Sequence, residues 1–207
     1  MSVLDKKGAA LAIFFGAVLF FYGGISYLAL MLAFFVLAII VTKYEYGIKK
    51  GMGLYEHERG WENVLSNGLL PAILAVLSPA IGPFPFIASI AAVTADKFGS
   101  EVGVLDAKNP VSLFSLKPVK PGTSGAMSAM GTVASLAGSF AIGCCALLLF
   151  KLNPAQALLI GLSGFAGSVV DTAFGVFEER GIGTKGTTNF VCSAAGALLG
   201  YYLIRLI

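Results

Sequence analysis

The sequence predicts an all-α, polytopic integral membrane protein with about seven transmembrane helices, a cytoplasmic N-terminus and a single domain over residues 1–207. Three observations carry that prediction. The chain is 57% hydrophobic and only 12% charged. Its mean hydropathy is +0.86, a value typical of bilayer proteins. Its uncharged runs are long enough to cross ~30 Å of hydrocarbon. A formal net charge of +3, on scattered basic residues, argues against nucleic acid as a partner. Cys144, Cys145 and Cys192 sit in apolar stretches without metal-ligand spacing and read as small packing residues.

Each span follows from the run that encodes it. Between Lys7 and Lys43 lie 35 uncharged residues, enough for two short helices at 8–22 and 25–42 with Gly23 and Gly24 at the turn. Lys6 and Lys7 before an apolar run imitate a signal peptide, yet no small-residue cleavage site follows, so the segment is read as a retained span. A third helix over 63–78 is expected to stop at Pro79, and a fourth to start near Phe84 after an uncharged turn. Further spans are expected at 125–150, 154–176 and 187–206.

Orientation follows from lysine and arginine. With the N-terminus in the cytoplasm, twelve of the fourteen basic residues fall on that side, leaving Lys151 and Arg205 outside. The carboxylates gather on the same side. This places the chain in the cell membrane with its polar chemistry facing the cytoplasm.

Depth sharpens the reading. The run Phe84 to Ala95 covers only about 18 Å of helix, so the fourth span must continue to roughly Val104, which places Asp96 and Glu101 within it. Asp171, counted from Pro154, reaches a comparable height on another helix. Ionisable groups in a span tend to face a wet cavity and mark functional sites. Asp96, Gly99, Ser100 and Gly103 share one helical face, with Lys97 and Glu101 as an i, i+4 pair beside it.

Other polar residues recur at that level. Arg59, Asn63 and Asn67 form a ridge entering the third span. Lys117 and Lys120 precede Gly122, Thr123, Ser124 and Gly125, a glycine and hydroxyl turn expected to lead into a helix whose N-terminus would favour phosphate. Asn189 adds an amide in the last span, and His57 reads as a solvated bystander. No nucleophile–histidine set, histidine cluster or Walker-type loop occurs. The remaining carboxylates, amides and basic groups suit Mg²⁺ and polyphosphate. Small residues in the last three spans allow close helix packing or a slot for an aliphatic chain.

Five ordered blocks, "HERGWENVLSNG", "TADKFGSEVGVL", "GTSGAMSAMGTVASLAGS", "GFAGSVVDTAFG" and "TTNFVCSAAGALLG", resemble the membrane family that includes the plant chloroplast phytyl phosphate kinase, over roughly residues 8–207. Dolichol kinases and phosphatidate cytidylyltransferases are distantly similar. The resemblance implies a multi-pass kinase that phosphorylates an isoprenoid monophosphate, such as phytyl or geranylgeranyl phosphate, with a nucleoside triphosphate, CTP in particular. On that reading Asp96, Glu101 and Asp171 hold Mg²⁺. Arg59, Lys117 and Lys120 neutralise phosphate, and Ser100 and Gly122 to Gly125 contact it. Asn63, Asn67 and Asn189 orient phosphate or base. Lys97 stands where the family commonly has a small or hydroxyl residue, so its role is open. The lipid bilayer surrounds the chain, and monomer and homo-oligomer both remain open. A cation-coupled transporter and a structural scaffold are the rival readings; transporter sites usually lie at the bilayer midplane between repeated halves, a pattern not evident here.

Overall fold

A computed structural model describes residues 4–54, 60–106, 108 and 110–206. The first helix, α1 (Lys6–Val18), is capped by Asp5, whose carboxylate accepts from the Gly8 N–H at 2.5 Å. It runs into a π-helical turn (Leu19–Gly23), and Gly24 at φ 80° reverses the chain into α2 (Ile25–Lys43), as the Gly23–Gly24 pair predicts. The short α3 (Tyr46–Gly51) follows.

Helix α4 (Trp61–Ile81) contains Pro71, as the expected span does, but departs from expectation by continuing through Pro79 and ending only at Gly82, φ 79°. A proline removes one N–H from the ladder, but in a membrane helix neighbouring elements and local adjustment absorb that loss. Pro71 is buried against the bundle.

Helix α5 (Phe84–Gly103) is the centre of the protein. Every residue from Pro85 to Ala95 is buried, with α2, α4, α6, α7 and α8 packed around it. Its N-terminal end is packed by Tyr27 and Phe150, whose ring centroids lie 4.5 and 6.4 Å from that of Phe86. A two-stranded antiparallel pair, β1 (Val111–Ser112) and β2 (Ala126–Met127), then precedes α6 (Ala129–Leu149). Helix α7 (Pro154–Glu178) begins in a capping box of Asn153 and Gln156 with Pro154 in its first turn, and α8 (Lys185–Leu203) begins in one of Thr184 and Thr187. A 3₁₀ turn, Ile204–Leu206, ends the described chain.

Among the described residues six segments are long and apolar enough to cross a membrane: α1 with its π turn, α2, α4, α6, α7 and α8. Helix α5 has the same length but carries Asp96, Lys97 and Glu101, and its neighbours shield it from lipid. The expectation of about seven spans therefore resolves into six apolar segments and one central polar-ended helix, α5, with five of the six packed directly on it and α1 packed on α4.

Candidate functional site

The ends of α5, α6, α7 and α8 enclose a cavity of about 410 Å³ on the face where α5 and α7 finish and α6 and α8 begin. Glycine contacts set this geometry. One turn above Asp96, Ala92 of α5 meets Gly167 of α7 and Gly196 of α8 so tightly that a Cβ on Gly167 would lie 2.7 Å from Ala92 Cβ and 2.9 Å from the Cys192 carbonyl. Backbones this close leave no freedom of register. The next turn on each helix is thereby fixed, and it carries Asp96 and Asp171.

These two carboxyl groups interact directly, and both act on the buried Cys192 behind them. Asp171 Oδ1, Asn189 Oδ1 and Ser193 Oγ are buried without a hydrogen-bond partner. Asn189, Cys192 and Ser193 share one face of α8. Orphaned oxygens in a protein interior are costly unless something satisfies them. Oxygen-only donors beside two carboxylates fit a hard cation such as Mg²⁺.

Glu101 behaves differently. Its Oε2 accepts from Lys49 Nζ at 2.9 Å, while Oε1 accepts from Lys97 Nζ at 2.7 Å and from Thr42 Oγ1 at 3.0 Å. Among the described residues no three carboxylate, histidine or cysteine side chains come together as a metal group. The expected grouping of Asp96, Glu101 and Asp171 is therefore not what the structure brings together: Asp96 and Asp171 act on each other, while two lysines and a threonine already surround the Glu101 carboxylate.

The phosphate-binding residues read from the sequence also separate. Ser100, Gly122, Thr123, Ser124 and Gly125 line the cavity. Lys117 and Lys120 do not; both are exposed on the loop beyond it. Asn63 and Asn67 lie on α4 away from the cavity, where Asn67 Nδ2 donates to the Asn63 carbonyl at 2.9 Å. Asn189 is buried behind the cavity rather than on its wall. Arg59 and His57 fall outside the described residues.

Nor is the glycine turn a helix start. Gly122 and Gly125 adopt φ 86° and 75°, Ala126 and Met127 pair with β1, and α6 begins only at Ala129 under a Ser128 cap. The turn lies on α7, where a Cβ on Gly175 would come 2.5 Å from Gly125 N. Ser124 N donates to Glu179 Oε1 at 2.8 Å, so this amide is already engaged. At the true start of α6, Met130 N donates to Asp106 Oδ2 at 3.0 Å and Gly131 N to Ser128 Oγ at 3.1 Å. The Met130 amide, and after it the Lys108 amide that donates to Asp106 Oδ1 at 3.1 Å, hold the Asp106 carboxyl below the usual aspartate range.

The positive charge on the cavity wall comes from Lys97 and from Lys185, which opens α8 near enough to act on Asp171. The sequence reading passed over Lys185. Its signal was position, since it follows the capping threonine of a helix at the level of the aspartates.

Residues 1–197 match the model of the integral membrane protein family DUF92. An uncharacterized membrane protein of Methanocaldococcus jannaschii is 35% identical over 202 residues, covering 95% of this chain and 84% of that one. Protein PGR of Arabidopsis thaliana is 29% identical over 204 residues, 83% of this chain and 70% of the relative. The chloroplastic protein VTE6 of the same plant is 26% identical over 210 residues, 95% and 63%. No solved structure matches. With the family model spanning nearly the whole chain and six apolar membrane-length segments beside α5 among the described residues, the chain belongs to the DUF92 family of integral membrane proteins.

Proposed function

We propose that this protein is a membrane-embedded phosphotransferase. It moves the terminal phosphoryl group of a nucleoside triphosphate, CTP in particular, onto an isoprenoid monophosphate such as phytyl or geranylgeranyl phosphate. The observation that carries the reading is the meeting of Asp96 and Asp171, from separate helices, beside a cavity whose wall also carries Lys97 and Lys185. The likeness of the sequence blocks to the phytyl phosphate kinase family and the match to chloroplastic VTE6 point the same way.

The chemistry asks little of the protein beyond positioning and charge neutralisation. An oxygen of the acceptor monophosphate attacks the terminal phosphorus, the bond to the bridging oxygen breaks, and the nucleoside diphosphate leaves with that electron pair. The acceptor arrives ionised, so no protein base is required. Asp96 and Asp171 would hold Mg²⁺, which offsets charge on the triphosphate as the bridging bond breaks. Lys97 and Lys185 bind phosphate oxygens, and Ser100 with the Gly122–Gly125 turn shapes the wall against them. Phe165 and Val169, deeper in the same cavity, offer the apolar surface that an isoprenoid tail needs. The positive-inside distribution supports an active site facing the cytoplasm.

Purified protein in detergent, supplied with CTP, Mg²⁺ and phytyl or geranylgeranyl monophosphate, is expected to yield the diphosphate by mass. Asp96→Asn is expected to remove activity by about 10²-fold or more, the scale of losing one preorganised electrostatic group, while preserving the melting temperature. Full activity in that variant, or nucleotide-independent uptake by sealed liposomes with no product, would sink the proposal.

A further inference from the structure

Lys49 is a wholly buried lysine, and the cavity chemistry above does not use it. Its ammonium group donates to the Val41 carbonyl at 3.0 Å, the Thr42 carbonyl at 2.7 Å and Glu101 Oε2 at 2.9 Å. Three acceptors satisfy its three donors. Two of them belong to the last turn of α2, whose carbonyls have no helical partner, so Lys49 closes that helix end while fixing one oxygen of Glu101.

Glu101 therefore carries two ammonium groups of unequal exposure. Lys49 has 1% of its side chain exposed and is held at three points. Lys97 has 17% exposed, reaches Glu101 by an i, i+4 contact and lines the cavity. An isolated Lys97–Glu101 pair would resist separation, since removing the lysine would strand a poorly solvated carboxylate. Lys49 changes that balance by keeping Glu101 compensated whatever Lys97 does.

We infer that Lys97 is an exchangeable polyphosphate ligand. It rests on Glu101 until a polyphosphate enters, then transfers its ammonium to a phosphate oxygen while Lys49 retains the carboxylate. Lys49 and Glu101 are positioning residues in this device. The inference rests on the polyanion-binding reading of the cavity but not on the identity of the acceptor.

The test is calorimetric binding of inorganic triphosphate to the full chain in detergent at fixed Mg²⁺. Lys97→Met is expected to bind about ten-fold or more weakly, the loss of one charge-assisted hydrogen bond. Glu101→Gln is expected to bind about three-fold more tightly or better, because the Glu101 carboxylate no longer competes with phosphate for Lys97. Lys49→Met is expected to weaken binding by trapping Lys97 on Glu101, and Lys49→Met with Glu101→Gln to restore it to at least the parent level. Lys97→Met within about two-fold of the parent, or Glu101→Gln no tighter than the parent, overturns the inference. So does failure of the parent chain to bind triphosphate. These two single variants decide the matter even if Lys49→Met does not fold. Normal binding responses without turnover on any isoprenoid phosphate would overturn the phosphotransferase proposal and leave the Lys97 assignment standing.

Discussion

Asp96 on α5 and Asp171 on α7 interact directly although a loop, a strand pair and the whole of α6 separate them in the chain. Like charges in a poorly solvated site repel, so such a pair persists only where packing imposes it and a shared proton or a cation offsets the charge. Here the imposing contact is the Ala92–Gly167–Gly196 layer one turn away.

If the two aspartates act as one centre, their substitutions should not add. Asp96→Asn and Asp171→Asn are each expected to reduce turnover by about 10²-fold or more, and the double variant by little beyond either single one. Initial rates of diphosphate formation from the three variants check this. A multiplicative loss would mean that the two carboxylates work separately.

The glycine layer makes a second prediction about the same pair. A methyl on Gly167 would collide with Ala92 Cβ and the Cys192 carbonyl, and neither backbone can yield. Gly167→Ala is expected to destabilise the protein by about 1–3 kcal/mol through overpacking. It should lower activity as well, because α7 must shift to admit the methyl and Asp171 shifts with it. Thermal melts in detergent alongside activity assays separate the two effects.

Lysine position should matter more than lysine number. Lys185 lines the cavity, whereas Lys117 and Lys120 are exposed beyond it. Lys185→Ala is expected to raise the KM for triphosphate about ten-fold, the scale of one hydrogen bond to a charged group. Lys117→Ala with Lys120→Ala should remain within about two-fold of the parent, as for exposed charges. Saturation kinetics at fixed ionic strength decide between them.

Asp106 predicts a pH dependence. Folding lowers the pKa of its carboxyl through hydrogen bonds from Met130 and Lys108 amides. A group whose pKa falls on folding stabilises above its unfolded value, about 3.9, and loses that contribution as pH drops through the folded value. Asp106→Asn is therefore expected to melt below the parent protein at neutral pH, with the gap closing as the medium is acidified below pH ~4. A gap that stays constant into acid would show that the charged cap contributes nothing.

Much of this molecule is written locally. Hydropathy runs, the Gly23–Gly24 turn, the sidedness of the basic residues and the shared face of Asp96, Gly99, Ser100 and Gly103 depend on neighbours within a few helical turns, so the sequence determined the membrane class, the spans and the polar end of α5 by itself. The tertiary structure alone decided which distant residues meet. It paired Asp96 with Asp171 and gave Glu101 to Lys49. It also turned Lys185 rather than Lys117 toward the cavity, and made Gly122–Gly125 a turn on α7 instead of a helix start. The physical reason is register: helices that touch through glycine are locked at one height and rotation by contacts between segments far apart in the chain, and no local pattern encodes that.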